Sequence, residues 1–149
     1  MTVAGDDLAR ACTDAMFARD RAAQSLGLVV EDAREGYARV SLRITDAMIN
    51  GLDTVHGGIT FTLADSAFAY ACNSRNVPHV ALQASISFTV PGRLGDTLFA
   101  EGREVALKGR TGVYDVTITN GAGDLVGMFR GTCYRIHGTV LEARAADRS

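Results

Sequence analysis

Residues Asn50–Asn73, NGLDTVHGGITFTLADSAFAYACN, decide the fold. From Ile59 to Cys72 the segment is apolar on almost every side, without the one-sided stripe of a helix lying on a surface. Its length suits a helix better than a core strand. The pair Gly57-Gly58 in front and Asn73-Ser74 behind supply boundaries, so a buried helix is predicted. Between Gly57 and Asn73 stands one formal charge, Asp65. A lone carboxylate in an apolar helix is costly unless it is hydrogen-bonded, paired or reached by water.

At the start of the same helix, His56-Gly57-Gly58 leaves first-turn N–H groups without intrahelical partners and without a side chain to shield them, a setting suited to an anion or a developing oxyanion. If one helix holds both Gly57 and Asp65, eight residues separate them by roughly 12 Å along its axis, too far for one reacting carbon. Either the helix begins later and the glycine pair folds back, or the glycine end of one copy meets the aspartate of a second copy across a two-fold interface. The second arrangement is preferred.

Working outward, Asp6–Ser25 carries apolar residues at helical spacing (Leu8, Cys12, Ala15, Met16, Ala22) and reads as one amphipathic helix within an N-terminal segment 1–25. Leu26–Glu31 is a β-rich run, 32–36 a polar turn, and Tyr37–Ile44 alternates, with Ala38, Val40, Leu42 and Ile44 inward and Tyr37, Arg39, Ser41 and Arg43 on a wet face. After the central helix, Val80–Val90 is the most regular alternation in the chain, ended by Pro91-Gly92. Thr97–Leu107, Val113–Thr119 and Leu125–Ile136 follow as strands, joined by glycine-containing turns at 108–112 and 120–124. Residues 138–149 read as a loose tail. Hairpin-joined strands imply an antiparallel sheet, and a helix apolar all round requires that sheet to curl about it or a second subunit to cover it.

With 149 residues, 47% hydrophobic, the chain suits one domain, 1–149. A net charge of −2 provides no basic patch for nucleic acid. The apolar stretch is too short, and broken by Asp65, to span a bilayer. Cys12, Cys72 and Cys133 form neither a metal spacing nor a disulfide framework, which fits a reducing cytoplasm. Gly121, Gly123 and Gly127 run into strand and not helix, so no dinucleotide fingerprint is present, and there is no GxSxG serine nucleophile. His56, His79 and His137 show no metal-ligand spacing, and no cofactor is expected.

These features resemble the hotdog-fold thioesterases, and within them the PaaI group of phenylacetate degradation. The resemblance runs from about Ala15 to Thr139 and is densest at Asn50-Gly51, His56-Gly57-Gly58, Phe61–Ser74 and Thr111–Asp115. It implies an α+β hotdog fold, an antiparallel sheet wrapped around a long central helix, in a homotetramer of dimers that hydrolyses acyl-CoA, with hydroxylated phenylacetyl-CoA and similar aryl-acetyl thioesters as substrates. Carried over, it places the catalytic carboxylate on Asp65 and the carbonyl-polarising N–H on Gly57, from different subunits. It sets Asn50, His56, Gly58 and Phe61 in the substrate pocket. Related animal enzymes hold the attacking water with a serine near the start of the following strand. This chain reads Val80-Ala81-Leu82-Gln83 there, which makes Gln83 and Ser85 the candidates. Arg93, Lys108, Arg110 and Thr111, in or beside predicted turns, are candidates for the coenzyme A phosphates.

Plainer readings stand beside these. Asp65 caps a backbone N–H or pairs with an arginine; His56 caps the helix start; the glycines permit close packing; Asn50 shapes its loop; the turn cations are simply solvated. Two other function classes use the same pocket: a non-catalytic acyl-CoA or aryl-ligand binding module, and a hotdog hydratase or dehydratase with His56 as acid or base.

Overall fold

The computed structural model describes residues 3–142. Helices α1 (Val3–Phe17) and α2 (Arg21–Leu26) precede the hairpin β1 (Val29–Arg34) and β2 (Tyr37–Arg43). A 3₁₀ turn, Asp46–Met48, leads to α3 (Gly57–Cys72), and β3 (His79–Phe88), β4 (Thr97–Lys108), β5 (Thr111–Thr119) and β6 (Leu125–Arg135) complete the chain. The single N-terminal helix expected over 6–25 is two helices. Asp20 interrupts it by accepting from Ala23 N–H at 3.1 Å to cap α2, and Gly27, at φ 83°, ends α2. Leu26 consequently belongs to α2, and the first strand starts later than expected.

The six strands form one antiparallel sheet in the order β1-β2-β4-β5-β6-β3. The sheet curls around α3, the hotdog arrangement expected from the sequence. Leu63, Ala64, Ala67, Phe68 and Ala71 of α3 are buried against Val40, Leu42, Leu98, Ala100, Val116, Ile118 and Phe129. Two glycines let the sheet close on the helix. A Cβ at Gly102 would lie 3.0 Å from the Ala67 carbonyl oxygen, and one at Gly131 2.7 Å from Phe68 Cζ.

The wet face of the first hairpin is partly covered. Tyr37 and Ser41 are buried, Tyr37 beneath the Arg34 and Arg103 guanidiniums at 4.0 and 4.7 Å and Ser41 donating to Glu31 at 2.5 Å. The strand β3 differs more. Its sequence alternates as if one face were buried, yet it is the edge of the sheet, and Val80, Leu82 and Phe88 are 46%, 59% and 55% exposed. A bulge between Ala81 and Gln83 breaks its register with β6. The tail is held at its start: Val140 N–H donates to the Asn76 carbonyl and Leu141 N–H to Asn76 Oδ1 at 2.9 Å. Positions 143–149 lie outside the described residues.

Candidate active site

The loop before α3 is built on Asn50. Its Oδ1 accepts from Leu52 and Thr54 N–H at 2.9 and 3.2 Å while its Nδ2 donates to Thr54 Oγ1 at 3.0 Å. His56 is the N-cap of α3, and its Nδ1 accepts from Gly58 N–H at 3.0 Å. Both residues therefore perform the plainer structural duty. The His56 carbonyl takes the Ile59 and Thr60 N–H groups. Of the first helical donors this leaves Gly57 N–H, which finds no acceptor among the described residues. It borders a cavity of about 290 Å³ lined by Asn50, Thr60, Phe88, Val90 and Val126 among others. The Phe88 ring packs so closely that a Cβ on Gly57 would meet it at 3.2 Å.

Gly57 and Asp65 both lie in α3, so the helix does not begin later and the glycine pair does not fold back. Within one chain they stand roughly 12 Å apart along the axis. Asp65 is half-buried and has neither a hydrogen bond nor an ion pair among the described residues, so it is neither a backbone cap nor an arginine partner there. Burial raises its pKa above the ordinary carboxylate value, and the nearby charge of Asp20 raises it further. Asp20 is fixed by the α2 cap and by the Tyr70 hydroxyl, which donates to its Oδ2 at 2.8 Å. Sequence reading passed over Asp20, because its contact with α3 joins residues fifty positions apart.

Phe61 is half-buried with its ring edge-on to Phe129 at 5.3 Å between centroids. Gln83 and Ser85 are exposed on the sheet edge, away from the Gly57 cavity of their own chain. Lys108, Arg110 and Thr111 share the β4–β5 turn, where Thr111 Oγ1 donates to the Lys108 carbonyl at 3.3 Å. Arg93 precedes the opposite end of β4, roughly 36 Å of strand from Lys108, so one chain does not bring the four phosphate candidates together. Arg110 instead meets two residues that sequence reading missed. With Arg135 and His137 it lines a cavity of about 250 Å³, and Arg135 N–H donates to the Arg110 carbonyl at 2.8 Å. Only the β5–β6 register, which pairs Thr111 with Tyr134, could have revealed this neighbourhood. No described helix is long and apolar enough to cross a membrane.

Residues 52–126 match the Thioesterase superfamily. The chain is 44% identical over 126 residues to the acyl-coenzyme A thioesterase PaaI of Escherichia coli, covering 85% of this chain and 90% of that one. The solved structure of the E. coli PaaI protein from the phenylacetic acid degradation operon superposes with a TM-score of 0.89 over 90% of this chain and 97% of that one, at 42% identity. A hypothetical thioesterase protein of Streptococcus pneumoniae solved with coenzyme A gives a TM-score of 0.70 over 72% of this chain and 87% of that one, at 31% identity.

Proposed function

We propose that this chain, which belongs to the thioesterase superfamily and is a PaaI-like acyl-CoA thioesterase, hydrolyses aryl-acetyl-CoA thioesters such as hydroxylated phenylacetyl-CoA at a site made of Gly57 from one copy and Asp65 from another. One observation carries the reading. A half-buried carboxylate and a helix-start N–H, neither with a hydrogen-bond partner among the described residues, share one helix at a spacing that prevents them from meeting within a chain.

A two-fold axis midway between them, level with Phe61, sets Asp65 of each copy against Gly57 of the other. The Phe61 ring rests on Phe129, which pairs with Ile86 in the sheet. The edge strands β3 then run antiparallel through Ile86, covering their exposed apolar residues and pairing their free backbone edges. In that register positions 84 and 88 face each other, so Gln83 and Ser85 of one copy lie beside the Phe88 and Gly57 end of its mate, where a water-holding group is needed.

The chemistry is R–CO–S–CoA + H₂O → R–COOH + HS–CoA. Gly57 N–H polarises the carbonyl and receives the oxyanion, a contribution of about 3–4 kcal/mol. Asp65 removes a proton from the attacking water, or adds to the carbonyl itself and is then hydrolysed from an anhydride. In the first route that proton passes to the departing thiolate; in the second the thiolate leaves unprotonated, and the water that hydrolyses the anhydride supplies its proton. His56, by engaging Gly58 N–H, leaves Gly57 N–H as the free donor beside the carbonyl. Phe88, Val90 and Val126 give the acyl group an apolar wall of a size suited to one aromatic ring. Asn50, Gly58 and Phe61 complete that pocket, and Arg93, Lys108, Arg110 and Thr111 serve the coenzyme A end. A homotetramer of two such dimers and a cytoplasmic location belong to the same reading, in keeping with three free thiols.

The test is Asp65→Asn assayed by thiol release, with an expected loss of about a hundredfold to ten-thousandfold in kcat. Hydrolysis at the wild-type rate would exclude the role. A single turnover in oxygen-labelled water separates the two routes, because direct attack first places an enzyme oxygen in the acid. A panel of aryl-acetyl and straight-chain thioesters tests the acyl preference, and a clear preference for long aliphatic chains counts against the aryl assignment.

A further inference from the structure

None of the three free thiols takes part in the chemistry above. Cys12, buried on α1, bonds to the backbone of Asn76. Cys72 and Cys133 meet each other, where the last turn of α3 packs along β6. A Cβ on Gly131 would touch the Phe68 ring at 2.7 Å, so helix and strand are in close contact at that level. One turn on, roughly 6 Å along the helix, stands Cys72, and two residues on, roughly 6.6 Å along the strand, stands Cys133. Each step returns a side chain to the same face of its element, so the contact of Phe68 with Gly131 is repeated as a contact of the two sulfurs. They share a hydrogen bond. Gly112 of β5, paired with Cys133 in the sheet, makes room for it, since a Cβ there would lie 3.0 Å from Cys133 Sγ.

Both residues are buried, yet Cys72 lines a recess of about 130 Å³ together with Arg75, His79 and Arg135, and no carboxylate lines it. Cationic surroundings with an opening to solvent distinguish an oxidisable thiol from an inert one. Asn73 Nδ2 donates to Cys72 Sγ at 3.5 Å. The bond from the Cys72 thiol, helped by the Gly112 N–H, holds Cys133 below the ordinary thiol value, while that same bond and burial push Cys72 up. One proton thus lies between two sulfurs, with Cys133 placed to take it.

We propose that Cys72 and Cys133 are an oxidisable dithiol, a site of reversible modification at which hydrogen peroxide entering the recess converts the two thiols to a disulfide that ties the end of α3 to β6. The Cys72 sulfur attacks one peroxide oxygen, the O–O bond breaks, and the thiol proton, relayed through Cys133, leaves with the other oxygen as water. The Cys133 sulfur then attacks the sulfenic sulfur of Cys72, and its own proton departs with the expelled hydroxyl as a second water. The sum is 2 Cys–SH + H₂O₂ → Cys–S–S–Cys + 2 H₂O, in which the sulfurs are oxidised and the peroxide is reduced. A small dithiol reverses it by exchange. The new bond closes a loop that holds β3, β4 and β5, and so restrains the unfolded chain more than a local crosslink would. Cys72 lies seven residues, roughly 10 Å, beyond Asp65 on α3, so the modification stands whether or not Asp65 and Gly57 perform the hydrolysis.

The experiment treats the reduced full chain with hydrogen peroxide, unfolds it in the presence of N-ethylmaleimide and reads the intact mass and the peptides. The expected product has lost two hydrogens, carries one maleimide, at Cys12, where the untreated chain carries three, and yields a peptide joining Cys72 to Cys133. Dithiothreitol should restore all three labels, and the crosslinked protein should melt several degrees higher than the reduced one. Cys12→Ser should crosslink as wild type does. Cys133→Ser leaves Cys72 without a resolving thiol, so dimedone should capture a sulfenic acid at Cys72 in that variant and not in wild type. Three maleimides after an exposure that oxidises free cysteine overturn the proposal. So does a crosslink that includes Cys12 or joins two copies. A bond between Cys72 and Cys133 that forms no faster in the folded protein than in guanidinium overturns it too, because the fold would then play no part in bringing the sulfurs together.

Discussion

Gly57→Pro removes the amide hydrogen and puts a pyrrolidine ring in its place. Gly57 is the first residue of α3, where proline is well tolerated because its missing N–H has no intrahelical partner. The preceding His56, at φ −59° and ψ 132°, already has the extended conformation that a following proline requires. The added Cβ meets the Phe88 ring at 3.2 Å, a contact that a shift of the ring by a few tenths of an ångström relieves. The melting temperature should therefore change little, while loss of the oxyanion donor removes about 3–4 kcal/mol of transition-state stabilisation, a fall in kcat of roughly a hundredfold to a thousandfold. Mixing this variant with Asp65→Asn then tests the shared site. If Gly57 of one copy works with Asp65 of the other, a mixed dimer has one site with both groups intact and one with both altered. Random reassortment makes about half of the dimers mixed, so about a quarter of all sites regain activity. Thiol release is measured after unfolding and refolding the two variants together. A mixture no more active than the sum of its parts refutes the cross-subunit site, and Gly57→Pro with wild-type kcat refutes the donor.

Asp65 is destabilising while ionised. Its folded pKa is raised, so the folded state binds the proton more tightly than the unfolded chain and stability falls as pH rises from the ordinary carboxylate range through the raised value. Asp65→Asn is expected to raise the melting temperature at pH 7, with the gain vanishing below the unfolded carboxylate pKa; a gain independent of pH would contradict the assignment. Asp20→Asn removes the neighbouring like charge, so the acid limb of the kcat–pH profile should move to lower pH, and an unmoved limb would show that Asp20 does not set it. Gly131→Ala places a methyl 2.7–2.8 Å from the Phe68 ring. That ring is hemmed in by Tyr114 and Phe129 at 5.9 and 5.7 Å, so a loss of about 1–3 kcal/mol is expected in chemical denaturation, and a neutral outcome would mean that the sheet can flatten there.

The central helix was legible because apolar residues on every side of a sixteen-residue run exclude a surface helix, and glycine and asparagine marked its ends. The hairpins were legible from their glycine turns. The break at Asp20 was not, since a capping carboxylate inside a helical pattern looks like one more polar-face residue until its bond to Ala23 N–H is seen. The isolation of Asp65 could be suspected from composition, whereas the Asp20 that acts on it could not. The arginine pocket was hidden for a related reason. Arg110 and Arg135 are ordinary turn and strand-end cations in sequence, and only the fold of β5 back onto β6 places one beside the other.

The alternation of β3 was read correctly as strand and misled only about what covers it. Val80, Leu82 and Phe88 are exposed in the isolated chain on a strand with a free backbone edge, a combination that invites pairing with another chain. The helix behind that strand carries the two groups proposed to react, Gly57 N–H and Asp65, which its own geometry keeps roughly 12 Å apart. The proposed two-fold axis near Ile86 answers both conditions, and in that dimer the surface that stabilises the pair and the contact that completes the proposed site are the same contact. Weakening the edge should therefore reduce activity in proportion to the dimers lost. Leu82→Lys, 59% exposed on β3, is the sharp case: sedimentation should show monomers, and activity should return as protein concentration rises. A fully active monomer would leave Gly57 and Asp65 without any arrangement in which they act on one carbonyl.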